Sequence, residues 1–177
     1  AHPTNYQLRD SANNKQQTTN NKQPMNQLWQ QPSIINHTQL LCASFRRWTG
    51  RELLSVTGDL EVQAKQLFDA PFMVVSHGVE TDPIFNYGNR QALELWELSW
   101  WEFTQLPSRK SAEPMLREKR QELLEQVASQ GFGTYSGVRI SSTGKRFRIK
   151  EGLLWNLLDA QSRYCGQAAT FSDVEYF

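Results

Sequence analysis

The sequence has little that would mark chemistry or compartment. Only two cysteines occur in 177 residues. Cys42 and Cys165 lie far apart, match no zinc or redox spacing, and read as buried free thiols in a reducing compartment. No apolar run approaches the roughly 18 residues that a membrane-spanning helix needs. The N-terminus also lacks the charged-then-apolar layout of a signal peptide, so a cytoplasmic location is expected. Charge of one sign is missing too. The formal net charge is +1, with six Lys/Arg against two Asp/Glu over residues 1–58 and thirteen against sixteen beyond. Such a near-neutral body gives no case for a nucleic-acid partner. Catalytic signatures are absent: there is no Gly-x-Ser-x-Gly elbow, no phosphate-binding loop and no His-Glu-x-x-His. Gly131-Phe132-Gly133 follows a predicted helix rather than a strand and reads as a turn, so an enzyme is not expected. Aliphatic side chains are scarce over residues 1–36, where fourteen positions are Asn or Gln. A segment of that composition cannot offset its ordering entropy by burial. It is expected to be a disordered tail to about Ile35, with Leu28 and Trp29 docking at most transiently.

What is present begins at His37. Leu41, Phe45 and Trp48 fall on one face of a helix that Gly50 closes. Asp59 can cap a second helix from Leu60 to about Phe68, ended by Pro71. These two helices read as a lid. Phe72-Met73-Val74-Val75 and Ile84-Phe85-Asn86-Tyr87 form two short strands around an acidic turn. Asn89 is placed to cap a helix carrying Ala92, Leu93 and Trp96, and Ser99 with Glu102 makes a capping box for the next. Ser111 is expected to start a long helix with Glu113 and Pro114 in its first turn. Leu116, Leu123, Leu124 and Val127 would line its inner face, and Gly131 would end it. The period then changes to two. Val138 and Ile140 alternate with Arg139 and Ser141, and Phe147 and Ile149 with Arg146, Arg148 and Lys150, which predicts a hairpin apolar inward and basic outward. Leu153 to Leu158 is apolar on both faces and needs cover on both. Tyr164 to Phe171 forms the last strand. The whole is an α+β chain with an antiparallel sheet of about five strands, short helices and one long helix on one face and the N-terminal helices on the other.

Strand, strand and several short helices is the opening of a PAS domain, and longer motifs sharpen that likeness. Ala70-Pro71-Phe72-Met73-Val74-Val75-Ser76-His77-Gly78, followed by Asp82 to Asn89, resembles the MEKHLA domain, a PAS-related family. Pro107-Ser108-Arg109 with Ser111-Ala112-Glu113-Pro114 is similar to its middle motif. Gly137 to Gly144 through Arg148-Ile149, and Gly166 to Phe171, are similar to its C-terminal part. The likeness covers roughly residues 37–172 and divides the chain into a tail, 1–36, and a PAS-like MEKHLA domain with lid helices, 37–177. It is to the stand-alone bacterial form, with nothing fused after the domain. The same domain closes plant class III homeodomain–leucine zipper regulators, but neither homeodomain nor heptads occur here, so DNA binding does not carry over. The resemblance implies a PAS-like fold and a sensory or ligand-binding role, and it supplies no catalytic residues.

PAS domains hold ligands between the inner sheet face and the short helices. The side chains expected near that position are Tyr87, Trp96, Trp101, Phe103, Arg109, Trp155 and Gln167. Aromatic residues with a few polar groups are usual in small-molecule sites, although tryptophans also simply fill cores. Arg109 suits a carboxylate or phosphate, or else pairs with Glu113 or Glu102 as a structural bridge. His77, Glu80 and Asp82 match no metal spacing, and no metal is expected. Asn89 is followed by Arg90-Gln91-Ala92, without the photoactive cysteine of flavin-binding light-oxygen-voltage domains, although Gln167 on the final strand is suggestive. The span 112–130 has no His to serve as the usual haem ligand of PAS domains. The cofactor therefore stays open. Arg139, Arg146, Arg148 and Lys150 form a basic row, either a solvated edge hairpin or a docking face for an acidic partner. The leading expectation is a sensor that encloses a small organic molecule and signals through dimerisation or a partner protein. The alternative is a protein-interaction module with a filled core.

Overall fold

The computed structural model describes residues 24–55, 57–113 and 117–177. Helix α1 (Pro32–Thr49) follows a 3-10 turn, Met25–Gln30, and α2 is Leu60–Phe68. Strands β1 (Met73–His77) and β2 (Phe85–Gly88) lead into the short helices α3 (Arg90–Trp96) and α4 (Trp100–Phe103) and a 3-10 turn, Ser108–Ser111. Helix α5 (Arg117–Gln130) precedes β3 (Phe132–Ile140), β4 (Arg146–Leu158), β5 (Tyr164–Phe171) and the short β6 (Val174–Tyr176). The sheet is antiparallel throughout, in the order β2-β1-β5-β4-β3, with β6 also paired to β4. Six strands are thus present where five were expected.

The N-terminal boundary differs from the composition-based expectation. Residues 25–30 form a 3-10 turn and residues 32–36 open α1, and Leu28 and Ile34, 2% and 4% exposed, belong to the core. Two apolar side chains on one side of a polar stretch suffice to anchor it, and Pro32 in the first turn presets the helical backbone. Residues 1–23 lie outside the described residues, as do Pro114 and Leu116. Ala112 is extended rather than helical, so Ser111 closes a 3-10 turn and does not start the long helix.

Helix α1 lies against one sheet face. Leu41 and Phe45 point into it, and the Phe45 ring meets Trp155 edge-on at 5.0 Å. The opposite face carries α3, α4 and α5. Asn89, fully buried, joins these parts. Its Oδ1 accepts from the amides of Val74 and Ala92, while its Nδ2 donates to the carbonyls of Phe72 and Leu67. It caps α3 and pins that helix to β1 and to the end of α2.

The β3–β4 hairpin runs in the phase opposite to the one expected for β3. Arg139 pairs with Phe147, and Ile140 with Arg146. Paired residues share a face, so the fully buried Phe147 draws Arg139 inward, where it is 8% exposed. Val138 and Ile140 turn to the other side. The reason is the loop of residues 141–145, whose length fixes which residues oppose one another. Arg139 is therefore not part of an outward basic row.

Candidate ligand cavity

Strand alternation decides which side chains meet between the sheet and the helices. Val75 and His77 of β1 point there, as do Gln167 and Ala169 of β5, Leu154 of β4, and Tyr135 and Arg139 of β3. Phe85 and Trp96 close one side, and α5 supplies Arg120, Leu123 and Leu124 from the other. A register irregularity where Tyr135 and Gly137 meet β4 sets the Tyr135 ring opposite Gly152. A Cβ on Gly152 would lie 2.5 Å from Tyr135 Cε1, so only glycine lets the ring lie there. Together these residues surround a cavity of about 40 Å³. One water needs roughly 10–15 Å³, so the space takes more than a single water.

The lining is apolar over most of its area but carries two guanidinium groups. Among the described residues Arg139 reaches only the Val138 carbonyl, at 2.9 Å, and the face of Tyr135, 5.5 Å from the ring centre. Arg120, half-buried, donates to Ser108 Oγ at 2.9 Å. Neither forms an ion pair with a carboxylate among the described residues. Burial and the charge of Arg139 draw Arg120 down to about 10, which leaves it protonated at neutral pH. Arg139 is drawn down by burial. Burial likewise holds the His77 imidazole below its ordinary value, so the ring is neutral at pH 7. His77 Nδ1 contacts the Gly78 carbonyl at 2.8 Å. Gln167 lies near enough to favour the charged ring, yet among the described residues neither His77 Nε2 nor Gln167 Oε1 has a partner in hydrogen-bond geometry. Trp96 Nε1 is also without one. Gln167 Nε2 is held by the Leu124 carbonyl and Asn156 Oδ1, and Asn156 donates onward to the last carbonyls of α5. That chain of bonds fixes α5 over the sheet.

The residues expected at the site are scattered. Trp96 and Gln167 line the cavity. Phe103 stacks on Phe85 one layer behind, 4.4 Å between ring centres. Tyr87 and Trp155 point to the other sheet face, Tyr87 stacked on His37 and Trp155 against Phe45. The sheet alternates, and a register shift between Ser76 and His77 separates Tyr87 from Phe85. Trp101 is half-buried in α4 and outside the lining. Arg109 is exposed and paired with Asp82 at 2.9 Å, not with Glu113 or Glu102. From sequence, Arg120 and Tyr135 are missed, Arg139 is placed on an outward basic row instead, and His77 is weighed only as a metal ligand. Arg120 did leave a trace, because it falls four residues before Leu124, on the inner face of α5.

With this geometry the family follows from one match: the MEKHLA domain profile covers residues 35–176. The chain belongs to the MEKHLA domain family. Its fold is similar to a crystallised PAS domain of a Colwellia psychrerythraea protein, at 17% identity over 67% of this chain and 96% of that one, with a TM-score of 0.56. An RNA-binding light-oxygen-voltage receptor aligns at 15% identity over 69% of this chain and 36% of that one, with a TM-score of 0.57. Identities this low speak to fold, and the fold of this MEKHLA domain is the α+β PAS-like one. None of the curated proteins matches the chain. The segments on which the resemblance rests supply His77, Phe85, Ser111, Arg139 and Gln167 to the cavity of the MEKHLA domain.

Elsewhere on the MEKHLA domain the basic residues of β4 are already answered. Arg146 pairs with Glu113, Arg148 with Glu175 and Lys150 with Asp173, while Arg146 and Arg148 both lie over the Phe177 ring. Among the described residues, no three His, Cys, Asp or Glu side chains converge as metal ligands, and no helix is long and apolar enough to cross a membrane.

Proposed function

We propose that this domain is a PAS-like sensory module that encloses a small organic molecule between its inner sheet face and helices α3 and α5. The observation that carries the reading is the cavity of about 40 Å³ lined by Trp96, His77 and Gln167, where Trp96 Nε1, His77 Nε2 and Gln167 Oε1 have no hydrogen-bond partner among the described residues. Buried polar atoms are ordinarily satisfied, so a cavity that gathers several unsatisfied ones is a place for something that satisfies them. The volume suits a molecule of a few heavy atoms and is far below the roughly 300–1,000 Å³ of sites for drug-sized ligands. That speaks against a flavin or a haem in the same space. Occupancy would be felt on β1, β5 and α5 together, since all three line the cavity, and a change there would be read by a second copy or a partner protein.

The test is purification without added ligand, followed by an absorbance spectrum and mass spectrometry of the denatured protein, with thermal stability measured across a panel of small metabolites. A released molecule, or a stabilising one, is the expected result. A clean spectrum with no released molecule and no stabilisation overturns the reading.

A further inference from the structure

We infer that the enclosed molecule is a small organic acid whose carboxylate is held between Arg139 and Arg120; this rests on the sensory reading above. Arg139 is buried, 8% exposed, and faces the cavity, where among the described residues its company is a neighbouring carbonyl and an aromatic face. Arg120 enters the same cavity from α5, its contact there being a serine hydroxyl. Two cations on one small space, with no carboxylate paired to either among the described residues, is a costly arrangement. An anion between them removes that cost. The planar forks of arginine match the two oxygens of a carboxylate.

The rest of the lining describes the body of the acid. Val75, Phe85, Trp96, Leu123 and Leu154 form apolar walls, which favour a carbon skeleton over a bare inorganic anion. Gln167 Oε1 can only accept, and among the described residues it has no partner, so a hydroxyl or amino group on that skeleton would be recognised. Asp82 acts on Arg120 electrostatically, but it is engaged with Arg109 at the surface. It does not take the place of a bound anion.

The experiment uses the full chain in a buffer free of oxyanions. Calorimetry is run with acetate, propionate, lactate, pyruvate and succinate, each against its neutral amide, and with inorganic phosphate. At least one acid is expected to bind, and its amide to bind tenfold more weakly or not at all. Arg139→Gln should weaken that acid by about 30-fold or more, as expected when one partner of a buried charge pair is truncated. Arg120→Gln, at a less buried position, gives the same loss without depending on the fold of the Arg139 variant, and circular dichroism checks both. Acids and amides binding alike, phosphate alone binding, or both variants binding the acid unchanged would each overturn the inference. A neutral molecule binding in the cavity would do so while leaving the sensory reading standing. Binding by none of them, with nothing released on denaturation, would overturn both.

Discussion

Asn89 spends all four of its side-chain hydrogen-bonding positions on backbone groups of β1, of Phe72 just before it, of α2 and of α3. Sequence reasoning finds it as a helix cap, because Asn before an apolar-periodic stretch has that meaning. The two carbonyls it also holds are distant in the chain and leave no local trace. Asn89→Ala should cost roughly 2–4 kcal/mol, since several buried groups lose their partners at once, and urea unfolding measures it. Arg109 makes the opposite case. Its flanking Pro107 and Ser108 place it on a loop correctly, but nothing local reveals that Asp82 is waiting for it. Both side chains of that pair are nearly half exposed, so Arg109→Ala should cost under about 1 kcal/mol. A loss above about 2 kcal/mol in the same urea experiment would show a role beyond this pair.

At the scale of elements, the β3–β4 hairpin explains why Arg139 reads as outward from sequence and lies inward in the fold. Alternation gives the two faces of a strand but not which face is inward, and β3 offers Val138 and Ile140 on one side and only Tyr135, Gly137 and Arg139 on the other. Counting across the five-residue loop from Phe147 identifies the inward set, a constraint that acts between strands and not within one. The loop itself is tied to α3. Glu97, in left-handed backbone geometry at the end of that helix, accepts from Ser141 Oγ at 2.8 Å, from Thr143 and from Lys145, and its own carbonyl takes Ser142 Oγ. The hydrogen bonds from Lys145, Thr143 and Ser141 hold its carboxyl down to about 2 from an ordinary 4.5. A depressed carboxyl contributes stability above its unfolded value and loses it as pH falls through the folded one. Glu97→Gln should therefore lower Tm at pH 7, and the gap to the wild type should close between about pH 4.5 and pH 2. Scanning calorimetry over that range measures it. Gly152 is the other point at which the hairpin is held in place. Gly152→Ala drives a methyl group into the Tyr135 ring, for an expected cost of about 1–3 kcal/mol, visible as a shifted Tyr135 ring resonance.

Across the whole molecule, the sheet separates two differently built layers. The cavity layer holds the arginines, His77 and Gln167, while the α1 layer is closed by aromatic and histidine contacts. Trp155 and Tyr87 belong to the second, which is why a sequence rich in tryptophan points to an aromatic interior without saying on which side it opens. His37 is the titratable link of that second layer. It stacks on Tyr87, 5.6 Å between ring centres, and its Nε2 meets Ser76 Oγ at 2.8 Å, so it joins α1 to β1 and β2. Burial draws its imidazole from 6.5 down to about 4. The unfolded chain binds a proton there before the folded one does, so the contribution is intact above pH 6.5 and is lost as pH falls toward 4. The full loss is a few kcal/mol at most, by the usual conversion of about 1.4 kcal/mol for each tenfold change. Stability should thus fall between pH 6.5 and pH 4, ahead of the window in which Glu97 titrates. The residual slope in a His37→Gln variant comes from His77, whose buried ring is displaced in the same direction. Chemical denaturation at half-unit pH steps separates the two. A wild-type profile flat from pH 6.5 to pH 4, or one whose slope the variant does not reduce, would show that α1 is not held to the sheet through the neutral His37 ring.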